Sequence, residues 1–181
     1  MSPSSLKGRK IAMLATDGFE QSELTEPKRL LEQAGAEVVV IAPGDHSQIT
    51  GWNVRNWGDK VEVDQPLARA KADEFDALVL PGGVMNPDKL RQIPEAIAFV
   101  QAFSRSDKPI AAICHGPWTL IDAGLVKGRK LTSWPSLRKD LENAGAEWVD
   151  EEVVADGRLI TSRKPDDIPA FSSAVIELLA A

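Results

Sequence analysis

The 181-residue chain has no tyrosine, one cysteine (Cys114) and two histidines (His46 and His115). A single cysteine excludes an internal disulfide, and two histidines beside it are too few for a buried zinc cage. No run of about 18 apolar residues occurs, and no long apolar stretch follows the basic residues of MSPSSLKGRK, so neither a membrane span nor a secretory signal is expected. Basic residues are not clustered. Twenty-one Lys and Arg are scattered among 27 Asp and Glu, a formal charge of −6, so nucleic acid and anionic membranes are not expected partners. These absences point to a cytoplasmic protein, and no metal or other cofactor is expected.

What is present reads as α/β. Lys10 to Ala15 (KIAMLA), Glu37 to Pro43 (EVVVIAP), Asp76 to Gly83 (DALVLPGG) and PIAAIC, which ends at Cys114, are short apolar runs. Such runs suit strands covered on both faces, the habit of parallel sheets. LTEPKRLLEQAG carries Leu24, Leu30 and Leu31 on one stripe and stops at Gly35. NPDKLRQIPEAIAFVQAFSRSD offers Ile93, Ile97, Val100 and Phe103 to a core, and HGPWTLIDAGL begins a helix directly after Cys114. The segment from Asp45 to Asp64, punctuated by Gly51 and Gly58, predicts a hairpin or flap outside the main sheet. A helix in PSLRKDLENAG, a strand at AEWVD, a hairpin turning at Asp156 and Gly157, and a closing amphipathic helix with Asp166 or Asp167 near its cap complete the chain. The expected fold is a doubly wound, mostly parallel sheet with helices on both faces, flavodoxin-like, plus a small peripheral flap. It forms one domain over residues 1–181, with 1–9 as a flexible leader. Ligands are then expected beyond the carboxyl ends of the strands.

Unusual groups collect at that edge. Cys114 and His115 follow the fourth strand, Gly82 and Gly83 the third, and Asp17 to Glu20 the first. Ala112 and Gly116 give AICHG the small-residue spacing of a nucleophile elbow. A cysteine there, at a helix N-terminus, is expected to have a lowered pKa. A free cysteine is equally a small hydrophobe suited to a core. His115 can serve as a base, although adjacent residues on a tight turn usually point apart. Glu20 can stay protonated beside a thiolate and donate to sulfur, or can simply be an acidic residue at a helix start. Gly82 and Gly83 can bring backbone amides to a ligand, or can mark a tight turn.

Together, DGFEQSEL, ITG, FDALVLPGG, KPIAAICHGPWTLIDAG, GRKLTSWPSLRKDLENAGAEWVD and LITSRKPDDIPAF, in that order, resemble the PfpI family of intracellular cysteine proteases and amidases. That family is a branch of the class I glutamine amidotransferase-like superfamily, which includes the parkinsonism-associated deglycase and general stress proteins. The resemblance implies Cys114 as nucleophile, His115 as base or electrostatic partner, Glu20 bonded to the sulfur, and an oxyanion hole from the amides of Gly83 and His115. It implies Asp88, acting from a second chain, as the acid that orients His115, and hence a homodimer or a higher homo-oligomer. Trp134 stands where relatives often carry a hydroxyl-bearing aromatic. Trp118, Trp52 and Gly82 are expected to shape the pocket. The implied activity is that of a stress-response cysteine hydrolase, acting on peptide amides or on methylglyoxal-derived adducts. The alternative is an oxidation sensor or holdase working through Cys114. An amidotransferase-like domain without chemistry is a third reading; TSRKPDDIPAF lacks the separate His and Glu that glutaminases bring from late in the chain.

Overall fold

The structure, a computed structural model, describes residues 5–181. In chain order the strands are β1 (Lys10–Leu14), β2 (Glu37–Ala42), β3 (Gln48–Asn53), β4 (Asn56–Glu62), β5 (Gln65–Pro66), β6 (Ala77–Leu80), β7 (Ile110–Ile113), β8 (Lys130–Leu131), β9 (Glu147–Trp148), β10 (Val154–Asp156) and β11 (Leu159–Ser162). The helices are α1 (Gln21–Gln33), α2 (Met85–Leu90), α3 (Pro94–Arg105), α4 (Pro117–Asp122), α5 (Arg138–Asn143) and α6 (Ile168–Ala180). The main sheet has the order β10-β11-β7-β6-β1-β2-β5, parallel except for the β10–β11 hairpin. The flavodoxin-like expectation is met.

The apolar runs are strands because the pleat sends alternate residues into two cores. Ile11 and Met13 of β1, Val38 and Val40 of β2, and Ala111 and Ile113 of β7 enter the core covered by α1 and α6. Ala12, Leu14, Val39, Ile41 and Ala112 enter the opposite core, with Val100 and Phe103 of α3, Leu120 of α4 and Leu141 of α5. Every central strand therefore ends at the same edge, where the loops carrying the unusual groups emerge.

Three local readings change. The helix expected through NPDKLRQIPEAIAFVQAFSRSD is two helices, because Pro94 drives Ile93 to an extended conformation (φ −99°, ψ 108°) and starts α3 afresh. The helix after Cys114 is only six residues long. Of the leader expected over 1–9, residues 1–4 lie outside the described residues, while Leu6 is fully buried and its N–H donates to Ala34 O. Leu6 thus anchors this segment to the core, while Lys7 to Arg9 are exposed. Asp167 does precede α6, but its carboxylate accepts from the backbone and guanidinium of Arg163 and not from the helix amides.

The flap is the β3–β4 hairpin, separate from the main sheet. It is sewn to the loop after β1 by Trp52 N–H to Phe19 O (2.7 Å) and Gly18 N–H to Thr50 O (2.9 Å). Among the described residues no helix is long and apolar enough to cross a membrane.

Candidate active site

Cys114 sits where β7 ends, in the left-handed region at φ +63°. That conformation is strained for a residue with a Cβ and persists only where its surroundings enforce it. They do so here: Cys114 N–H donates to Ser162 O of β11 (3.0 Å), and Cys114 O accepts from Trp134 N–H (2.9 Å). The elbow needs small neighbours. A Cβ on Gly116 would lie 2.6 Å from Leu80 O, so no larger residue lets the chain turn this closely past β6.

The turn brings His115 back onto the cysteine, with Nδ1 at 3.2 Å from Sγ. Its ring stacks on Trp134 at 6.0 Å and meets Trp118 edge-on at 5.3 Å. Burial among these rings lowers the His115 pKa to about 4, so the imidazole is neutral at physiological pH and can accept a proton. Asp88 lies exposed on α2, away from the cavity of its own chain.

The carboxyl facing the sulfur is Glu23, not Glu20. Glu23 is fully buried on the inner stripe of α1 with Leu24, Pro27 and Leu31. Its oxygens have no conventional hydrogen-bond partner, and the polar groups they face are the Cys114 thiol and the amides of Gly82 and Gly83. Burial, offset in part by those groups, pushes its pKa up to about 8. Glu23 is therefore protonated at neutral pH. Glu20, at the N-cap of α1, sits in the cavity wall with Val54 of the flap; burial raises its pKa, offset in part by the Val54 amide. One helical turn separates the two; the first position points along the wall and the second into the site.

The expected lowering of the thiol pKa is not what the surroundings produce. Burial and the adjoining Glu23 push Cys114 up, while the amides of Gly83 and His115, aimed at the sulfur, pull the other way. A six-residue helix starting at Pro117 has little dipole to offer, and Cys114 is 6% exposed. In contact, the two acids titrate as a pair.

The glycine pair is sterically required. A Cβ on Gly82 would lie 2.5 Å from Glu23 Oε1 and 2.8 Å from Cys114 Cβ, so its absence is what lets carboxyl and thiol meet. Gly83 has φ +81°, and a Cβ there would come within 2.5 Å of Glu20 N and Gly18 O. Asn86, fully buried, holds this corner: it accepts from Thr16 N–H (2.9 Å) and donates to Pro81 O (3.0 Å) and Gly82 O (3.1 Å). Nothing in the spacing of VMNPDK announced that role.

Sulfur, imidazole and both carboxyls open onto a cavity of about 560 Å³ walled by Trp52, Val54, Val84, Met85, Trp134 and Pro165. Trp134, Trp52 and Gly83 are among its lining residues. Gly82 lies beneath the floor. Trp118 does not line the cavity: it backs His115, its Nε1–H donates to Asp140 Oδ2 (3.0 Å), and the Arg91 guanidinium lies over its ring. Among the described residues no group of three or more His, Cys, Asp or Glu is placed to hold a metal ion.

The same arrangement of chain recurs in known proteins. The chain is 44% identical over 171 residues, 94% of its length and 98% of the relative's, to a Bacillus subtilis protein named "Putative cysteine protease YraA". It superposes on the solved structure of a two-domain Anabaena variabilis protein with DJ-1/ThiJ/PfpI-like and ferritin-like domains (TM-score 0.89, 40% identity), covering 94% of this chain and 48% of that one. It superposes on Drosophila melanogaster DJ-1beta with a TM-score of 0.87 at 30% identity, covering 95% and 90% of the two chains. The sequence profile of the DJ-1/PfpI family matches residues 9–178, from the start of β1 to the last turn of α6. The chain belongs to the DJ-1/PfpI family.

Proposed function

We propose that the protein is a cysteine-dependent hydrolase whose nucleophile is Cys114, acting on small electrophilic carbonyl compounds: peptide-type amides or 2-oxoaldehydes and their adducts. The observation that carries this reading is the strained elbow itself, which holds Sγ 3.2 Å from a neutral imidazole nitrogen at the floor of an open cavity. Strain of this kind is retained where the site needs it.

Because burial holds the proton on the thiol, sulfur is ionised during attack and not before it. His115 Nδ1 takes the thiol proton as the S–C bond forms. The carbonyl π electrons move onto oxygen, within reach of the amides of Gly83 and His115. Protonated Glu23 donates to the sulfur and offsets charge left on it. With an amide, the C–N bond then breaks, the amine leaves with the proton held by His115, and water cleaves the thioester by the reverse sequence. With a 2-oxoaldehyde, the hemithioacetal passes a proton from C1 to C2 by way of His115, and water releases the 2-hydroxy acid. A twofold dimer placing Asp88 of a second copy beside the imidazole would orient the ring. A cytoplasmic, stress-linked role accords with this chemistry. The oxidation-sensor reading is weaker, since a buried, proton-retaining sulfur is a poor target for peroxide.

Replacing Cys114 with Ser is expected to abolish turnover of both methylglyoxal and a fluorogenic peptide amide while leaving the thermal unfolding midpoint within a few degrees. Turnover that survives the substitution overturns the assignment.

A further inference from the structure

The charge inventory of the cavity is one-sided. Its ionisable lining groups are Glu20, Glu23, Cys114 and His115, and neither Lys nor Arg is among the lining residues. Arg163, two residues from the rim residue Pro165, is turned away, with its guanidinium bonded to Asp167 at 2.9 Å and to Asp150 at 2.9 Å. The remaining wall is apolar and aromatic: Trp52, Val54, Val84, Met85, Trp134 and Pro165. The two indoles are held in place. Trp52 Nε1–H donates to Val54 O (3.1 Å) and its ring packs edge-to-face on Trp57 at 5.5 Å, while Trp134 stacks on His115.

We infer that this cavity selects uncharged electrophiles bearing an aromatic or branched apolar substituent, which seats against Trp52 and Trp134, and that it rejects anionic ones. The inference rests on the reading of Cys114 as nucleophile and adds to it the class of compound admitted. A carboxylate or phosphate entering here would be desolvated with no cation to meet it, and would face two carboxyl groups. A cationic group gains little either, because burial raises the pKa of Glu20 and Glu23 holds its proton at neutral pH. An aromatic ring, by contrast, finds indole surfaces already ordered, so little flexibility is lost on binding.

The test uses three alkylating agents that differ in charge and apolar bulk: iodoacetamide, iodoacetate and N-benzyl-iodoacetamide. In each case the Sγ–C bond forms, the C–I bond breaks, iodide leaves and the thiol proton goes to buffer. Labelling of Cys114, the sole cysteine, is followed by intact mass with peptide mapping. Each rate is divided by that agent's rate on N-acetylcysteine at the same pH, which removes intrinsic reactivity. The corrected rate for iodoacetamide is expected to exceed that for iodoacetate about tenfold or more, and the benzyl compound to gain about fivefold again. The charge gap should persist in about 0.5 M NaCl, where longer-range repulsion by the net negative protein is screened. Trp52→Ala, with Trp134→Ala as a second variant, should shrink the benzyl advantage more than the charge gap.

Equal corrected rates for the neutral and anionic agents, a charge gap lost in salt, or a benzyl advantage untouched by both Trp variants would each overturn the inference. If turnover of methylglyoxal or the amide is intact in that case, the hydrolase reading stands alone. Selective labelling without any turnover overturns the hydrolase reading and leaves the selectivity. Failure of all three agents to label Cys114 overturns both.

Discussion

At the floor of the cavity, a Cβ added to Gly83 would lie 2.5 Å from two backbone atoms; in the roof, a Cβ added to Gly51 would lie 3.1 Å from the edge of the Phe19 ring. The floor is built from main chain and fully buried groups, Glu23, Asn86 and the elbow of Cys114, none of which has space to yield. The roof is a two-stranded hairpin whose tip residues Val54 and Trp57 are 71% and 56% exposed, joined to the floor through a few backbone hydrogen bonds. Chemistry that tolerates no displacement is thus placed on the sheet edge, and recognition on a hairpin where an added methyl group meets side chains and not main chain. The difference predicts unequal responses to equal insults.

The largest response is expected from Gly83→Ala. Left-handed backbone strain and overlap with main-chain atoms that cannot move together cost about 3 kcal/mol or more, readable in chemical denaturation, and the displaced amide should remove turnover as well. A loss below about 1 kcal/mol would mean that the floor can relax.

Next comes the proton on Glu23. Its carboxyl has a pKa of about 8 when folded and 4.5 when unfolded, so across the interval the folded protein holds a proton that the unfolded chain has lost. Stability therefore falls as pH rises through that interval, with a slope approaching about 1.4 kcal/mol per pH unit. His115, lowered to about 4, works oppositely below 6.5 but adds nothing above it. Unfolding free energies measured from pH 6.5 to 8 in wild type and Glu23→Gln should show the slope in the first and not in the second. In turnover, wild-type activity should fall as pH rises through about 8, where Glu23 loses the proton it donates to sulfur, and that fall should be absent in Glu23→Gln.

The matched roof substitution, Gly51→Ala, is expected to cost roughly 1 kcal/mol, because the Phe19 ring and Gln21 side chain can shift by the few tenths of an ångström required. Smallest of all should be Trp57→Ala, about 0.5 to 1 kcal/mol from the lost edge-to-face contact with Trp52, with its effect on catalysis confined to the flap. A Gly51→Ala loss as large as that of Gly83→Ala would erase the distinction between floor and roof.

Glu20 and Glu23 show how far the site was legible in GFEQSEL. Both carboxyls were visible near the start of a helix, but the choice between them depended on rotation about the helix axis. The line of Leu31 and Pro27, extended back one turn, passes through Glu23, while that of Leu24 passes through Glu20, so the sequence left both open. Asn86 left no such trace, because one of its three hydrogen bonds comes from Thr16, distant in sequence, and the other two depend on how the backbone turns at Pro81 and Gly82. The thiol's proton affinity was misjudged for a related reason. A helix N-terminus lowers it and burial raises it, and the sequence shows the first influence while only packing reveals how strong the second is.

Alternating burial along four apolar runs, glycines at close-approach turns and the AICHG spacing were enough to set the parallel sheet and to send Cys114 and His115 to its carboxyl edge, because these follow from pleat geometry and backbone sterics acting over a few residues. Which carboxyl meets the sulfur, that adjacent Cys and His side chains converge, that Trp118 stands behind the imidazole while Trp52 and Trp134 face the cavity, and that the thiol keeps its proton were decided only by tertiary structure. Apart from the Cys–His convergence, which the enforced elbow sets, these depend on distances between segments far apart in the chain and on the water that their packing excludes.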